Sequence, residues 1–378
     1  MDFGFGDEQE LLRETTRRFL GEHQPIAAVR HSMEERDLFD AGIWRRGAEL
    51  GWTAMLIPAE HEGGSVTDQP LVDLVALAEE LGRALNPGPL VPCNVVADAI
   101  ARFGTEAQVK EHLPRIARGD VACAWCLSGD GTPERGAVEV SATRVGDHWR
   151  LDGVARYVHA AQDAALLLVV AAHGEGTVNL LVPRPSAGLS ERGLTGLDLT
   201  RRFAEVRFDA VVVPHGDALD GGWDVVERSL AVATVLQAAE SVGAADLVFE
   251  STVDYAKKRV QFGRAIGSFQ AIKHRLADLL IDLEGMRAAA HYAALALNDG
   301  LPDAAEAVAT AGAYVEDTFA HLCGEALQLH GGIGFTWEHD MHLFVRRAKV
   351  NQVLYGDGTW HRERLVELTE AATPAGGA

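Results

Sequence analysis

The chain has 378 residues and a formal net charge of -21 at pH 7. That length exceeds one small core and fits two or three domains. The acidic balance opposes binding to nucleic-acid phosphates or to anionic lipid, so small molecules and other proteins are the expected partners.

The N-terminal stretch MDFGFGDEQE is acidic and has no apolar run, so it does not read as a secretory signal. The longest apolar run, AALLLVVAA at 164–172, is far short of the roughly 20 residues that a membrane-spanning helix needs. No membrane partner is expected, and the reading is cytoplasmic. The chain has four cysteines, and Cys123 and Cys126 form a C-x-x-C. A zinc site would need a second Cys/His pair at suitable spacing, and none follows. A redox pair would need a thioredoxin-like βαβ context, which is also missing. Buried, reduced thiols on a strand and no metal are therefore expected.

Three zones follow one another. Residues 1–119 read as helical: DEQELLRETTRRFLGEH is amphipathic, and LVDLVALAEELGRAL repeats the pattern before Asn86-Pro87-Gly88. Between them LGWTAMLIPAEHEGGS reads as a connector ending in a Gly-Gly turn. Residues 120–220 contain short alternating runs about a Gly146-Asp147 turn, then ALLLVVAA, VNLLVP and AEVRFDAVVVP, each bounded by Gly, Pro or Asp. This predicts a compact β domain. Residues 221–378 return to long helices. The first has one internal glycine and no proline. The second, from Ser268 to about Asn298, places Ile272, Leu276, Leu279, Leu283, Met286 and Ala290 on one inward stripe. Asp299-Gly300 closes it, and Pro302 opens a third helix that ends at Gly331-Gly332. A fourth is expected from near Thr336, interrupted by the acidic turn Gly356-Asp357-Gly358-Thr359.

KRVQFGRAIGSFQAIKH, residues 258–274, carries the strongest signal. Arg259 and Phe262 end a helix beside a glycine turn, and Gln270 follows on the next helix. Arg259 can grip a pyrophosphate, and Phe262 can pack on an adenine or sugar face. The bland alternative is a helix hairpin with a solvated arginine and a packed phenylalanine. LQLHGGIGFTWEHDMH, residues 327–342, adds Gln328 four positions before Gly332. Adjacent glycines there expose backbone N–H groups that favour anions, although Gly-Gly also simply ends helices.

In this order, the two stretches resemble the acyl-CoA dehydrogenase family, as do LGWTAMLIPAEHEGG and EELGRALNPGPL, and the resemblance spans nearly the whole chain. It implies an α+β multidomain fold: an N-terminal α-helical domain (1–119), a middle β-barrel (120–220) and a C-terminal four-helix bundle (221–378). It implies FAD, an acyl-CoA thioester substrate, and α,β-dehydrogenation with electrons leaving through an electron-transfer flavoprotein. In such enzymes the flavin lies at a subunit interface. The resemblance assigns Arg259, Phe262, Gln270, Gln328 and Gly332 to the flavin of a neighbouring subunit.

The half that serves the chain's own site departs from the pattern. The family's Thr-Glu-x-x-x-Gly-Ser-Asp is echoed only by Ser128, Gly129 and Asp130. Tyr157, Val158 and His159 stand where the family has Trp-Ile-Thr. Tyr157 could pack on the flavin ring. His159 could donate a hydrogen bond, or be a surface strand histidine. Asp357 takes the position of the catalytic glutamate, followed by Thr359. Aspartate is shorter by about 1.5 Å, and a misplacement of about 1 Å can cost on the order of a hundredfold in rate. The alternative base position on the first bundle helix falls at Ala233 and Thr234, neither of which can act as a base. Glu227 and Glu240 lie off it and are expected to be exposed or paired.

The losses fall on one half of the site. The expectation is a supporting subunit of a two-chain α2β2 complex, with Asp357 vestigial. The alternatives are a self-sufficient homotetramer using Asp357 as base, a flavin oxidase or monooxygenase of the same fold, and a structural chain without flavin.

Overall fold

A computed structural model describes residues 4–35, 37–127 and 133–372. The first six helices are α1 (Asp7–His23), α2 (Ile26–Glu35), α3 (Ala41–Glu49), α4 (Pro70–Arg83), α5 (Leu90–Phe103) and α6 (Glu106–Ala117). Their starts follow capping chemistry. Asp40 accepts the N–H groups of Gly42 and Ile43 at 2.7 and 2.9 Å, and Thr105 caps α6 in a box with Gln108.

Eight strands follow: β1 (Cys123–Cys126), β2 (Ser141–Val145), β3 (His148–His159), β4 (Leu166–His173), β5 (Gly176–Pro183), β6 (Leu189–Leu194), β7 (Phe203–Pro214) and β8 (Ala218–Leu219). They form one sheet in the order β6-β7-β3-β2-β4-β5-β8, with β1 parallel to β4. The β2–β3 turn places Gly146 at φ +60, as its Gly-Asp signature predicts. All four residues of β1 are buried, and Cys93, Cys123, Cys126 and Cys323 are free, buried thiols. Burial pushes the Cys126 thiol up to about 12, so it stays protonated.

The C-terminal part contains α7 (Trp223–Lys258), a tight hairpin of β9 (Val260–Gln261) and β10 (Arg264–Ala265), then α8 (Gln270–Asp299), α9 (Ala304–His330), α10 (Met341–Asn351) and α11 (Gly358–Ala372). The predicted stripe on α8 turns inward, with Leu279, Leu283, Met286 and Ala290 buried. α7 is apolar and long enough to cross a membrane, but 83% of its apolar window is buried inside the fold. That burial marks a core helix. The expected fourth helix is divided into α10 and α11. The division has a backbone cause: Tyr355 and Gly356 take φ +62 and +101, which a continuous helix cannot accept.

Two glycines set how closely α4 crosses α7. A Cβ on Gly82 would stand 1.9 Å from the Glu240 carbonyl oxygen, and one on Gly243 would stand 1.8 Å from that of Glu79. The single glycine inside α7 is therefore a contact point. Charges next to this crossing tie in α1 and α8. Buried Glu79 meets Arg13 at 3.1 Å and His291 at 2.6 Å, and Arg17 grips Glu80 through two bonds of 2.7 Å. Burial alone would raise the Glu79 pKa, but His291, Arg13 and Arg287 hold it below the ordinary value.

Candidate functional site

A cavity of about 700 Å³ opens where the sheet meets the bundle. Tyr157, Asp357 and Thr359 all line it, together with Leu194, Phe203 and Trp360. Among the described residues, its charged lining groups are the carboxylates of Asp357 and Glu363. Three residues picked from sequence thus share one site. Tyr157 reaches it because β3 slips register between Ala155 and Val158, which leaves Tyr157 in the left-handed region at φ +57.

Asp357 has a structural task in this arrangement. One carboxylate oxygen accepts the N–H of Trp360 at 2.8 Å, and its carbonyl accepts that of His361 at 3.0 Å. Asp357 is therefore the N-cap of α11. α11 is seated by His361, whose buried ring fills the space over Gly312, where a Cβ would lie 2.5 Å from it. Burial lowers the His361 pKa to about 4, so it packs as a neutral ring. Thr359 is exposed, and its hydroxyl accepts from Arg362 at 3.4 Å.

His159 is not a surface histidine. It is buried beside Phe203, because the strand turns back into the sheet core after the exposed Tyr157, burying Val158 and His159 together. Both its ring nitrogens lack partners among the described residues, as does the Trp125 indole N–H. These groups line a gap of about 30 Å³ behind Tyr157, closed on its far side by Tyr355 stacked on Trp125 at 6.0 Å. Burial first, then the nearby Arg201 and Arg347, hold the His159 pKa well below its usual value. His159 is therefore neutral at pH 7. Ser128, Gly129 and Asp130 lie outside the described residues.

A buried polar network supports the cavity wall and was not legible as a site. The segment between Leu194 and Phe203 is held by Asp198 against Arg347 at 2.5 Å and by Arg201 against Glu240 at 2.5 Å. Asn351 accepts from Arg201 and donates to Ser241, which donates to Glu316 at 2.8 Å. Glu240 is thus the paired residue its position suggested. Burial pushes Glu316 up to about 8. The available signal was the group Gln237, Glu240 and Ser241 inside an otherwise apolar stretch of α7.

The other five candidates occupy a different surface. Arg259, Phe262, Gln270, Gln328 and Gly332 are all exposed, and none lines the 700 Å³ cavity. The ends of α7 and α9 meet there: Tyr255 stacks on His330 at 4.6 Å and donates to its carbonyl at 3.2 Å. The two-residue hairpin loop is Phe262-Gly263, at φ +51 and +78. Phe262 is 93% exposed in that conformation. A phenylalanine in the left-handed region is strained, and its ring has only an edge-on contact with Phe269 at 6.2 Å among the described rings.

Two family models match this chain. The one described as acyl-CoA dehydrogenase, N-terminal domain, matches residues 6–120, and the one described as acyl-CoA dehydrogenase, C-terminal domain, matches residues 220–368. The chain belongs to the acyl-CoA dehydrogenase family. It is 33% identical to acyl-CoA dehydrogenase IpdE2 of Mycobacterium tuberculosis, over 90% of this chain and 91% of that protein. Among solved structures it is similar to a variant of the Tcur3481-Tcur3483 steroid ACAD, at TM-score 0.88 and 30% identity over 97% of this chain and 99% of that one. It is also similar to a chain of the ChsE4-ChsE5 complex from Mycobacterium tuberculosis, at TM-score 0.89 and 26% identity over 99% and 100%. The five exposed candidates lie together on the bundle surface, away from the cavity. In the cavity, Asp357 caps α11.

Proposed function

We propose that this chain is an FAD-dependent acyl-CoA dehydrogenase subunit that supports the site of a related partner chain. The observation that carries the reading is Phe262, strained and exposed beside Arg259, whose guanidinium has no partner among the described residues. A half-site that this chain does not complete calls for a second subunit. Exposed Ile281, Ile333, Phe335 and Trp337 on the same bundle give it an apolar surface to dock on.

The residues fit FAD unequally. The exposed half offers a free guanidinium for a pyrophosphate, the Phe262 ring for an adenine or sugar, and open space at Gly332 for close backbone approach. The inner half offers Tyr157 and a cavity of sufficient size, but among the described residues no cationic group lines it. Its aspartate is engaged as a helix cap. The chemistry FAD supplies when bound is acceptance of a hydride from the β-carbon of the acyl thioester. In this reading Arg259, Gln270, Gln328 and Gly332 bind and orient the partner's flavin, Phe262 covers it, and the proton-abstracting base belongs to the partner. An oligomer, an electron-transfer flavoprotein as acceptor, and a cytoplasmic setting complete the proposal. The names of the similar ChsE4-ChsE5 and Tcur3481-Tcur3483 pairs support a two-chain arrangement.

The test is flavin content per chain, read from the visible spectrum. The chain purified alone should hold little FAD. Co-expression with a related subunit should restore about one FAD per pair of chains, since binding stabilises only the assembled site. One FAD per chain in the isolated protein would instead support the homo-oligomer with Asp357 as base.

A further inference from the structure

Gln237 and Ser241 on α7 neighbour Glu316 on α9, and all three side chains are buried. Their hydrogen bonds run in one direction. Arg201 donates to the Asn351 side-chain oxygen at 3.1 Å, Asn351 donates to the Ser241 hydroxyl at 2.9 Å, and Ser241 donates its single hydrogen to Glu316 Oε2 at 2.8 Å. The chain of donors stops there. Glu316 Oε1 has no partner among the described residues.

The neighbouring donors do not serve that oxygen. Gln237 Nε2 donates to the carbonyls of Asn351 at 3.1 Å and Leu354 at 3.3 Å, which uses both its hydrogens. Exchanging the amide oxygen and nitrogen would set an oxygen against two carbonyl oxygens, so the orientation is fixed. Arg201 is engaged by Glu240 and Asn351, and its remaining Nε–H does not reach Glu316. A buried carboxylate oxygen without a donor is costly, whereas a neutral acid carries a hydrogen on that same oxygen. Gln237 Oε1 also lacks a partner among the described residues and is the acceptor in the adjoining side chain. A proton on Glu316 answers both orphaned oxygens.

Gln237 in turn holds a segment of the cavity wall. Asn351 ends α10, where carbonyls lack helical partners, and Leu354 precedes the Tyr355-Gly356 turn. Val353, Leu354, Gly356 and Asp357 all line the 700 Å³ cavity.

We propose that Glu316 is a positioning residue held as a neutral acid, which through Gln237 fixes the turn that carries Asp357 into the cavity, and that loss of its proton loosens this turn. Of the charges acting on Glu316, Arg201 favours the carboxylate and Glu240 favours the acid. Beyond them, Arg347 on α10 pairs with Asp198, Tyr355 is a buried phenol, and His361 on α11 is a neutral ring. The buried face of α8 presents Met286 and Ala290, and its His291 pairs with Glu79.

Amide hydrogen exchange of the full-length chain tests this, with peptides covering 352–361 compared with α4. The turn should open locally and exchange faster than α4. Its rate relative to the intrinsic rate should rise by up to about tenfold per pH unit between about pH 5 and about pH 8. Glu316→Gln keeps a donor toward Gln237 and cannot ionise, so its turn should show no such rise. Gln237→Leu removes the donor to both carbonyls and serves if the first variant does not fold. It should speed turn exchange by about tenfold at pH 5, the loss of hydrogen bonds worth about 1 kcal/mol. A turn that exchanges no faster than α4, a parent without the rise, the same rise in Glu316→Gln, or unchanged exchange in Gln237→Leu overturns the proposal. Each arm uses this chain alone and leaves flavin content unread, so the supporting-subunit reading stands or falls separately.

Discussion

The carboxylate of Asp357 accepts the backbone N–H of Trp360 at 2.8 Å. This contact separates two roles that share one residue. Asparagine caps a helix about as well as aspartate, and alanine does not. Asp357→Ala should therefore lower stability by about 1 kcal/mol, while Asp357→Asn should leave it nearly unchanged. In the two-chain complex both variants should turn over within a few-fold of the parent. A loss of several orders of magnitude in Asp357→Asn, with the melting temperature intact, would make Asp357 the base.

Arg259 is exposed and makes no ion pair among the described residues, so Arg259→Ala should shift the unfolding midpoint little. Its effect should appear in cofactor affinity. Loss of hydrogen bonds from a charged group costs about 1.5–3 kcal/mol, roughly 10- to 100-fold in FAD dissociation constant for the complex. Equilibrium dialysis measures this directly. Unchanged FAD retention would remove Arg259 from the donated half-site.

The α4–α7 crossing depends on two missing side chains. Gly243→Ala places a methyl group 1.8 Å from the Glu79 carbonyl oxygen, which the backbone must move to accept. Overpacking of this kind destabilises by about 1–3 kcal/mol. Displacement of Glu79 would also disturb its contacts with Arg13 and His291. Urea unfolding is the measurement, and a loss below about 0.5 kcal/mol would show that the helices can separate at little cost.

Glu316 is pushed from an ordinary 4.5 up to about 8, chiefly by burial. Between those values the folded chain holds a proton that the unfolded chain has released. Stability linked to Glu316 is therefore full below about 4.5 and falls as pH rises toward about 8. The slope is at most about 1.4 kcal/mol per pH unit. Glu316→Gln keeps the shape and cannot ionise, so it should flatten this decline and gain stability relative to the parent as pH rises. An identical pH profile for the two proteins would show that Glu316 ionises freely in the fold.

Much of the architecture was determined by the sequence itself. Periodicity placed the inward stripe of α8, turn chemistry placed the β2–β3 hairpin, and local spacing brought Arg259 and Phe262 to one hairpin. These features depend on residues within a few positions of each other, where backbone sterics and side-chain period decide the outcome. The tertiary structure decided the rest. Only packing shows that Asp357 caps α11, that His159 turns inward and stays neutral, and that Gly243 sits against a carbonyl. Likewise, Arg201 finds Glu240 39 positions away, and Arg347 finds Asp198 149 positions away. Burial and long-range pairing fix what a charged or polar group does, and neither is a property of its neighbours in the chain.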